Sequence, residues 1–284
     1  MISSDPALAL ARFIESYRSI FILTGAGCST DSGIPDYRDS TGQWKRKPPV
    51  TWQAFSGDEQ IRSRYWARSM IGWRAFGQAR PNSVHLALTT LEQAGKLSLL
   101  VTQNVDGLHQ RAGHQSVVDL HGRLDTVVCL VCGSRTQRQR HQQRLEDLNP
   151  GWLKHSAAMA PDGDADLDAV DFSNFQIPDC QRCGGMLKPD VVFFGETVPR
   201  SRVELAMAAL DRSDAMLVLG SSLMVYSGFR FARAAAERGI PIAAVNLGTT
   251  RADPLLSLKI NAPCSQSLAP WTNPVAGQSH TSPA

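Results

Sequence analysis

The chain has 284 residues, 43% of them hydrophobic, enough to bury one large core or two small ones. Its net charge is +3, and the 19% of charged residues are scattered apart from Arg62, Arg64 and Arg68 and the stretch Arg135 to Arg144. That is too little positive charge to argue for nucleic acid. No apolar run reaches the roughly 18 residues of a membrane span. The opening MISSDPALALARFIESYRS, with Asp5 and Glu15 inside it, lacks the basic and apolar order of a signal or transit peptide, so a cytoplasmic protein is expected.

Leu10, Phe13, Ile14 and Tyr17 recur at helical spacing over Pro6 to Tyr17, and a short β-rich segment, Ser19 to Leu23, then runs into the turn Gly25-Ala26-Gly27. Further strands are predicted at Leu97 to Thr102, Val117 to Leu120, Asp190 to Phe193, Ala215 to Leu219 and Pro241 to Asn246. Helical patterns lie between them, at Val84/Ala87/Leu88/Leu91 and Val203/Ala206/Met207/Leu210. Strands alternating with helices predict an α/β fold, a Rossmann-like parallel sheet covered on both faces. Between Cys129 and Cys183 that rhythm breaks, and Asn149 to Asp179 is rich in Pro, Gly, Asp and Ser, so a small inserted zinc-binding module is expected there. Gln266 to Ala284 is polar and Pro/Gly/Ser-rich and is predicted to be a disordered tail.

The turn Thr24-Gly25-Ala26-Gly27-Cys28-Ser29 directly follows a strand, where glycines let backbone N–H groups come close to a pyrophosphate. Thr30 replaces the third glycine of G-x-G-x-x-G, and no acidic residue stands near position 45 to take a ribose. On this motif a dinucleotide site and an ordinary tight turn stay equally open. The continuation SGIPDYR sets Asp36, Tyr37 and Arg38 on a glycine-proline loop, either a lid over a ligand or a surface turn with a solvated Asp-Arg pair.

Gln103-Asn104-Val105-Asp106 stands at the carboxyl end of a predicted parallel strand, where open α/β sheets place their ligands. These side chains suit a carboxamide or a ribose, and Asn104 or Asp106 equally suits a helix cap. His121-Gly122 follows a strand in the same way and reads as a general base near neutral pH or as a structural histidine. Gly220-Ser221-Ser222 and Asn246-Leu247-Gly248 repeat the pattern of small or polar residues at strand ends, extending a nucleotide crevice or forming routine turns.

Four of the six cysteines form two C-x-x-C pairs, Cys129/Cys132 and Cys180/Cys183. Four thiolates complete a closed tetrahedral site with no position for water, which points to one structural zinc in a reducing compartment. The 47 residues between Cys132 and Cys180 exceed a usual zinc ribbon, which leaves two unrelated pairs as the alternative. Neither pair opens a helix in a βαβ unit, as a redox pair would.

Taken in order, GAGCSTDSGIPDYR, TQNVDGLH, LHG, the paired C-x-x-C motifs, KPDVVFFGE, GSSLMVYSG and VNLG resemble the sirtuins, especially the class II branch that holds sirtuin-4, over roughly residues 5 to 265. The departures are mild: Cys28 stands where Ile or Ser is common, and Ser221 replaces a frequent Thr. The resemblance implies a catalytic domain over 1–265, with a Rossmann-like part at about 5–50, 80–122 and 190–265 and a zinc and helical part at about 51–79 and 123–189, followed by the tail 266–284. Gly25, Ala26, Gly27 and Ser29 would then border NAD, with Asp36, Tyr37 and Arg38 in a mobile cofactor loop. Gln103 would contact NAD, Asn104 and Asp106 would line the nicotinamide pocket, Gly220, Ser221 and Ser222 would hold phosphate or ribose, and Asn246 and Cys264 the adenosine end.

The resemblance also implies that His121 is the general base and Asn104 a second catalytic group. Val192, Phe193, Gly195 and Glu196, with Val225 opposite, would clamp an acylated-lysine protein or peptide as an added strand. Nicotinamide would leave C1′ of its ribose, the acyl oxygen would attack, and His121 would deprotonate the ribose hydroxyl that captures the acyl carbon, giving nicotinamide, O-acyl-ADP-ribose and free lysine. Tyr65-x-x-Arg68 resembles the pair that grips acidic acyl groups in some class II members, or is part of an arginine-rich solvated helix face. The sirtuin-4 branch also implies lipoyl-type acyl groups. A dehydrogenase would need the full glycine fingerprint, and a non-catalytic zinc-ribbon module would need a basic, aromatic surface. An NAD-dependent ADP-ribosyltransferase in the same pocket is the alternative. A monomer is expected, with neither nucleic acid nor membrane as partner.

Overall fold

The computed structural model describes residues 5–45, 48–155, 160–165, 167 and 170–272. Helix α1 (Pro6–Ser16) starts where the Asp5 carboxylate accepts the Ala7 N–H with proline in the first turn, and it turns Leu10, Phe13 and Ile14 inward. Strand β1 (Ile20–Thr24) follows, buried along its whole length, and leads into two 3-10 turns, Ala26–Cys28 and Thr30–Ser32. Then come α2 (Trp52–Gly57), α3 (Glu59–Phe76), α4 (Ser83–Gln93), β2 (Leu97–Thr102), α5 (Leu108–Arg111) and β3 (Val117–Asp119). The next stretch is β4 (Gly122–Cys129), β5 (Arg135–Gln137), α6 (Arg138–Leu148) and β6 (Leu187–Val191). The chain closes with α7 (Arg200–Leu210), β7 (Ala215–Leu219), α8 (Tyr226–Glu237), β8 (Ile242–Val245), β9 (Leu258–Ile260) and α9 (Cys264–Ser267).

Six strands form one parallel sheet in the order β3-β2-β1-β7-β8-β9. The chain builds outward from β1 to β3, then crosses back and builds the other way from β7, so a crevice opens at the carboxyl ends of β1 and β7. Both faces are covered. Along β1, Ile20 and Ile22 pack with Leu10, Val84 and Leu88, while Phe21 and Leu23 pack with Ala206, Leu210 and Phe231 on the opposite face. This two-residue alternation inside a wholly apolar strand is why both sides take helices.

A second sheet, β5-β4-β6, is antiparallel and carries a third core in which Phe55, Tyr65, Trp66, Met70, Val127, Leu145 and Phe193 meet. Here the sequence expectation is corrected. Asp190 and Val191 end β6, and Val191 pairs antiparallel with Gly122, so this run belongs to the small sheet rather than to the parallel one. A short β-rich run reports its local conformation and carries nothing about its partner.

Helix α6 lies within the stretch without apolar rhythm, because three of its four inward residues, Arg138, His141 and Gln142, are polar and only Leu145 is apolar. Arg138 is buried against α3. Its guanidinium donates to Gln142 Oε1 at 2.7 Å and to the Ser69 carbonyl at 3.2 Å, and it lies 4.9 Å from the Trp73 ring centroid. Burial lowers its pKa to about 10.

The predicted tail also needs correction at its start. Cys264–Ser267 is helical, Ala269–Trp271 forms a 3-10 turn, and Leu268 is fully buried beneath the sheet with Trp271 packed beside it. Burying one leucine contributes about 1.5–3 kcal/mol, part of what holds this segment against the sheet. The rest of that prediction, from 273 onward, lies outside the described residues. Among the described residues no helix is long and apolar enough to cross a membrane.

Candidate active site

A cleft runs along the carboxyl ends of β1, β2, β7 and β8, lined by Gly25, Ala26, Gly27, Ser29, Asn104, Asp106, His121, Gly220, Ser221, Ser222, Asn246 and Cys264 among others. The glycine turn has a structural reason of its own. A Cβ on Gly25 would stand 2.7 Å from the Gly220 carbonyl oxygen, and one on Gly27 would stand 2.8 Å from the Gly220 Cα. The Gly25 N–H donates to Leu219 O, Gly27 to Gly220 O, Cys28 to Gly25 O and Ser29 to Ala26 O, all at 2.9 Å. These four amides are hydrogen-bonded inside the fold, and Gly25, Ala26, Gly27 and Ser29 all line the cleft. The glycines let the ends of β1 and β7 touch.

Beside this turn three polar side chains form one corner. Asn104 Nδ2 donates to the Gly25 carbonyl at 3.1 Å and to Ser29 Oγ at 3.0 Å, and Ser29 Oγ donates to Asp106 Oδ2 at 2.7 Å. Asp106 Oδ1 also accepts the Leu108 N–H at 2.9 Å, so the capping role is present alongside the corner. Burial pushes the Asp106 carboxyl up, and the bonds from Leu108 and Ser29 pull it back.

His121 sits where β3 turns into β4. Its Nδ1 lies 2.9 Å from the Gln103 carbonyl and its Nε2 lies 2.8 Å from Ser227 Oγ. A carbonyl only accepts, so Nδ1 carries the proton in the neutral ring and Nε2 keeps its lone pair, toward which Ser227 donates. Burial lowers the His121 pKa to about 4, with Arg202 and Arg230 adding repulsion and the Gln103 carbonyl opposing it. Gln103 is itself held by Ser221, whose Oγ donates to Gln103 Oε1 at 2.6 Å. The pairing of Ser227 with His121 is not legible in the sequence, because the two side chains meet across a separation of 106 residues.

The segment bearing Asp36, Tyr37 and Arg38 folds over one side of the cleft. Arg38 donates to the Gly42 carbonyl at 2.8 Å and stacks 3.9 Å from the Trp44 ring centroid, and Trp44 meets Tyr37 and Phe194 edge-on. Asp36 pairs with Lys45. The Thr249 N–H donates to the Ser40 carbonyl at 2.9 Å, tying the loop to the turn after β8. Trp44 is a lining residue that no motif had singled out.

The expected peptide wall is only partly in the cleft. Val192, Phe193 and Val225 line it, and the Val192 N–H donates to the His121 carbonyl at 2.8 Å. Gly195 and Glu196 do not line it. Glu196 instead accepts from Lys188 Nζ at 2.7 Å and from the Phe193 N–H at 2.9 Å, holding the turn in shape. Tyr65 lines the inner end and is buried against Phe55 and Phe193. Arg68 is not a lining residue, and its Nε donates to the Ala165 carbonyl at 2.8 Å. Pro161 and Asp162, from the stretch between the cysteine pairs, reach the same inner end.

At the far edge of the small sheet Cys129, Cys132, Cys180 and Cys183 converge, their sulfurs all within 4.8 Å of one another. Two of the separations are 3.5 Å, for Cys129 and Cys183, and 3.8 Å, for Cys132 and Cys180. Tetrahedral zinc with ~2.3 Å Zn–S bonds requires about 3.8 Å between sulfurs, so the donor set fits zinc. The two knuckles are built alike. The Gly133 N–H donates back to Cys129 O and that of Gly184 to Cys180 O, with φ of 68° and 69° at the two glycines. Joining the pairs through one ion also explains the long spacing, since β5 and α6 occupy part of the connection.

The Sir2 family profile matches residues 25–227 of the chain. A NAD-dependent protein deacetylase of Bordetella bronchiseptica is 62% identical over 261 residues, covering 92% of this chain and 95% of that one. The mitochondrial NAD-dependent protein lipoamidase sirtuin-4 of Bos taurus is 46% identical over 262 residues, covering 91% and 83%. Among solved structures, a Sir2–p53 peptide–NAD+ complex superposes with a TM-score of 0.71 at 29% identity, over 92% of this chain and 95% of that one.

Proposed function

Because the chain belongs to the Sir2 family and is a NAD-dependent protein deacylase, we propose that His121 is its general base and that Ser29, Asn104 and Asp106 receive the nicotinamide end of NAD. One observation carries this reading. The Gln103 carbonyl fixes the His121 proton on Nδ1, so the unprotonated Nε2 is held at the wall of the cleft. Bound NAD supplies the ADP-ribosyl group, and the bond between its ribose and nicotinamide is the one that breaks. Once the Ser227 hydroxyl turns away from it, His121 Nε2 takes the proton of a ribose hydroxyl, and the Gln103 carbonyl stabilises the resulting imidazolium through Nδ1–H. Asn104, anchored on the Gly25 carbonyl and Ser29, orients the reacting ribose, and the buried Asp106 carboxyl accepts from a carboxamide. Gly220, Ser221 and Ser222, with Asn246 and Cys264 farther along, hold the rest of the nucleotide under the 36–45 loop.

Val192, Phe193 and Val225 lie on facing sides of the mouth, and an extended acylated-lysine peptide would pair between them as an added strand. For the acyl group we propose an uncharged, lipoyl-type chain rather than an acidic one. The inner end is walled by Ile34, Tyr65, Phe76, Leu124 and Val191, while Arg68 is engaged with Ala165. The bovine relative named a lipoamidase supports the same choice. A zinc-bound set of cysteine thiolates suits a reducing cytoplasm, and we read the six-stranded part as holding NAD and the cysteine part as supplying the acyl end of the cleft. We also take the enzyme to act as a monomer.

The test is nicotinamide release from NAD with acetyl-, succinyl-, glutaryl- and lipoyl-lysine peptides. Lipoyl-dependent release is expected, with free lysine and O-acyl-ADP-ribose formed by wild type and not by His121→Ala. Release that needs no peptide would overturn the deacylase reading, and free lysine formed at the wild-type rate by His121→Ala would overturn the assignment of the base.

A further inference from the structure

Beyond the cleft, immediately after Val225, the exposed Tyr226 opens α8 and is surrounded by three guanidinium groups. Arg230 lies 5.3 Å, Arg233 5.5 Å and Arg251 6.0 Å from the Tyr226 ring centroid, and Arg251 also stacks 4.4 Å from Phe229. Their positive charge is poorly compensated. Arg233 meets Glu237 at 3.4 Å, with both side chains more than half exposed, a pairing that contributes little in water. Among the described residues neither Arg230 nor Arg251 pairs with a carboxylate. Arg230 Nε is buried without a hydrogen-bond partner, and Arg251 reaches only the Met224 carbonyl, at 3.4 Å. The patch is continuous with the cleft, because the Arg251 N–H donates to the Ser222 carbonyl at 2.8 Å and Ser222, Met224 and Val225 all line it.

We propose that this arginine-tyrosine patch is a docking surface for acidic residues flanking the acylated lysine in the protein substrate, an inference that rests on the deacylase reading above. A chain leaving the cleft past Val225 meets Tyr226 next, and an Asp or Glu there gains charge-assisted hydrogen bonds from guanidinium groups that now lack carboxylate partners. Cation–π contact with Tyr226 holds those groups in place without neutralising them. The attraction acts at the rim, so it raises capture of the substrate and leaves the chemical step alone.

The experiment compares kcat/KM of the full-length, zinc-loaded enzyme on three peptides with the same acyl-lysine and with acidic, neutral or basic flanks. Wild type and the Arg233→Glu/Arg251→Glu double variant are each measured at low and high salt. The acidic-flanked peptide is expected to lose about tenfold in the double variant, the neutral one to stay within about twofold, and the basic one to gain, with all three converging at high salt. The gain with basic flanks separates docking from mere misfolding. Turnover of all three peptides at equal rates in wild type, or an acidic preference that survives the charge reversal, would overturn the patch while leaving the deacylase standing. No turnover of any peptide would instead remove the deacylase reading itself. If flank charge has no effect while a single-stranded oligonucleotide binds wild type but not the double variant, the patch is a nucleic-acid site and the proposal falls.

Discussion

Ser227 Oγ lies 2.8 Å from His121 Nε2, the nitrogen that the Gln103 carbonyl leaves unprotonated on the ring's other side. A hydroxyl donating to a lone pair stabilises the neutral ring and so keeps its pKa low. His121 is already lowered to about 4 by burial. The acid limb of kcat/KM is therefore expected near pH 4 rather than near the ordinary ~6.5 of histidine. Ser227→Ala should move that limb upward, because the neutral form loses a donor. A pH–rate profile decides it: lower kcat with an unmoved limb would make Ser227 a packing residue only.

Stability should fall as the solution is acidified below neutrality, for a reason that lies in other histidines. Burial lowers His85 and His141 to about 3, and His109 well below its ordinary value. The folded chain keeps these rings neutral where the unfolded chain, with histidine near pKa ~6.5, takes up protons. Their contribution is fully present above ~6.5 and is lost as pH drops below it, by up to about 1.4 kcal/mol per pH unit for each ring. Urea unfolding at pH 7.5, 6 and 5 measures the slope. His141, edge-on to Trp66 with ring centroids 4.4 Å apart and neither ring nitrogen bonded, should flatten that slope when replaced by Gln; an unchanged slope would exclude it as a contributor.

Removing the zinc should damage stability before chemistry. The four thiolates tie β4 to the segment before β6 at the edge of the core that holds Tyr65 and Phe193. Cys180→Ser is expected to leave metal content well below one ion per chain and to lower Tm by roughly 6–12 °C, the size of a loss of about 3 kcal/mol in a chain this long. Metal analysis and a thermal melt on the same sample would check it, and full zinc content with an unchanged melt would contradict the site.

Gly27→Ala tests why that glycine is there. The new Cβ would meet the Gly220 Cα at 2.8 Å and the Gly220 carbonyl at 3.1 Å, neither of which is the end of a flexible side chain. Forcing the ends of β1 and β7 apart should destabilise the protein by about 1–3 kcal/mol and weaken NAD binding together with it. Weakened binding at unchanged stability would instead point to a direct contact between this residue and the nucleotide.

The sequence by itself determined the repeating local units. Wholly apolar strands such as Ala215–Leu219 and the 3.6-residue stripe of Ser83–Gln93 declare themselves because their patterns are set by neighbours in the chain. Ordered motifs also marked where chemistry would gather, at Gln103 to Asp106, at His121 and at the four cysteines. What only the tertiary structure decided are relations between segments far apart in sequence. Val191 pairs with Gly122 rather than joining the parallel sheet, Leu268 is buried near the start of a polar stretch, and Arg138 builds a polar helix against α3. Arg68 and Glu196 turn their charges to Ala165 and Lys188 rather than into the cleft, and Ser227 comes to His121 across 106 residues. Hydrophobic periodicity reports which face of an element is buried, but not what it is buried against. Hydrogen-bond partners are chosen only when the packed core has fixed where each donor and acceptor stands.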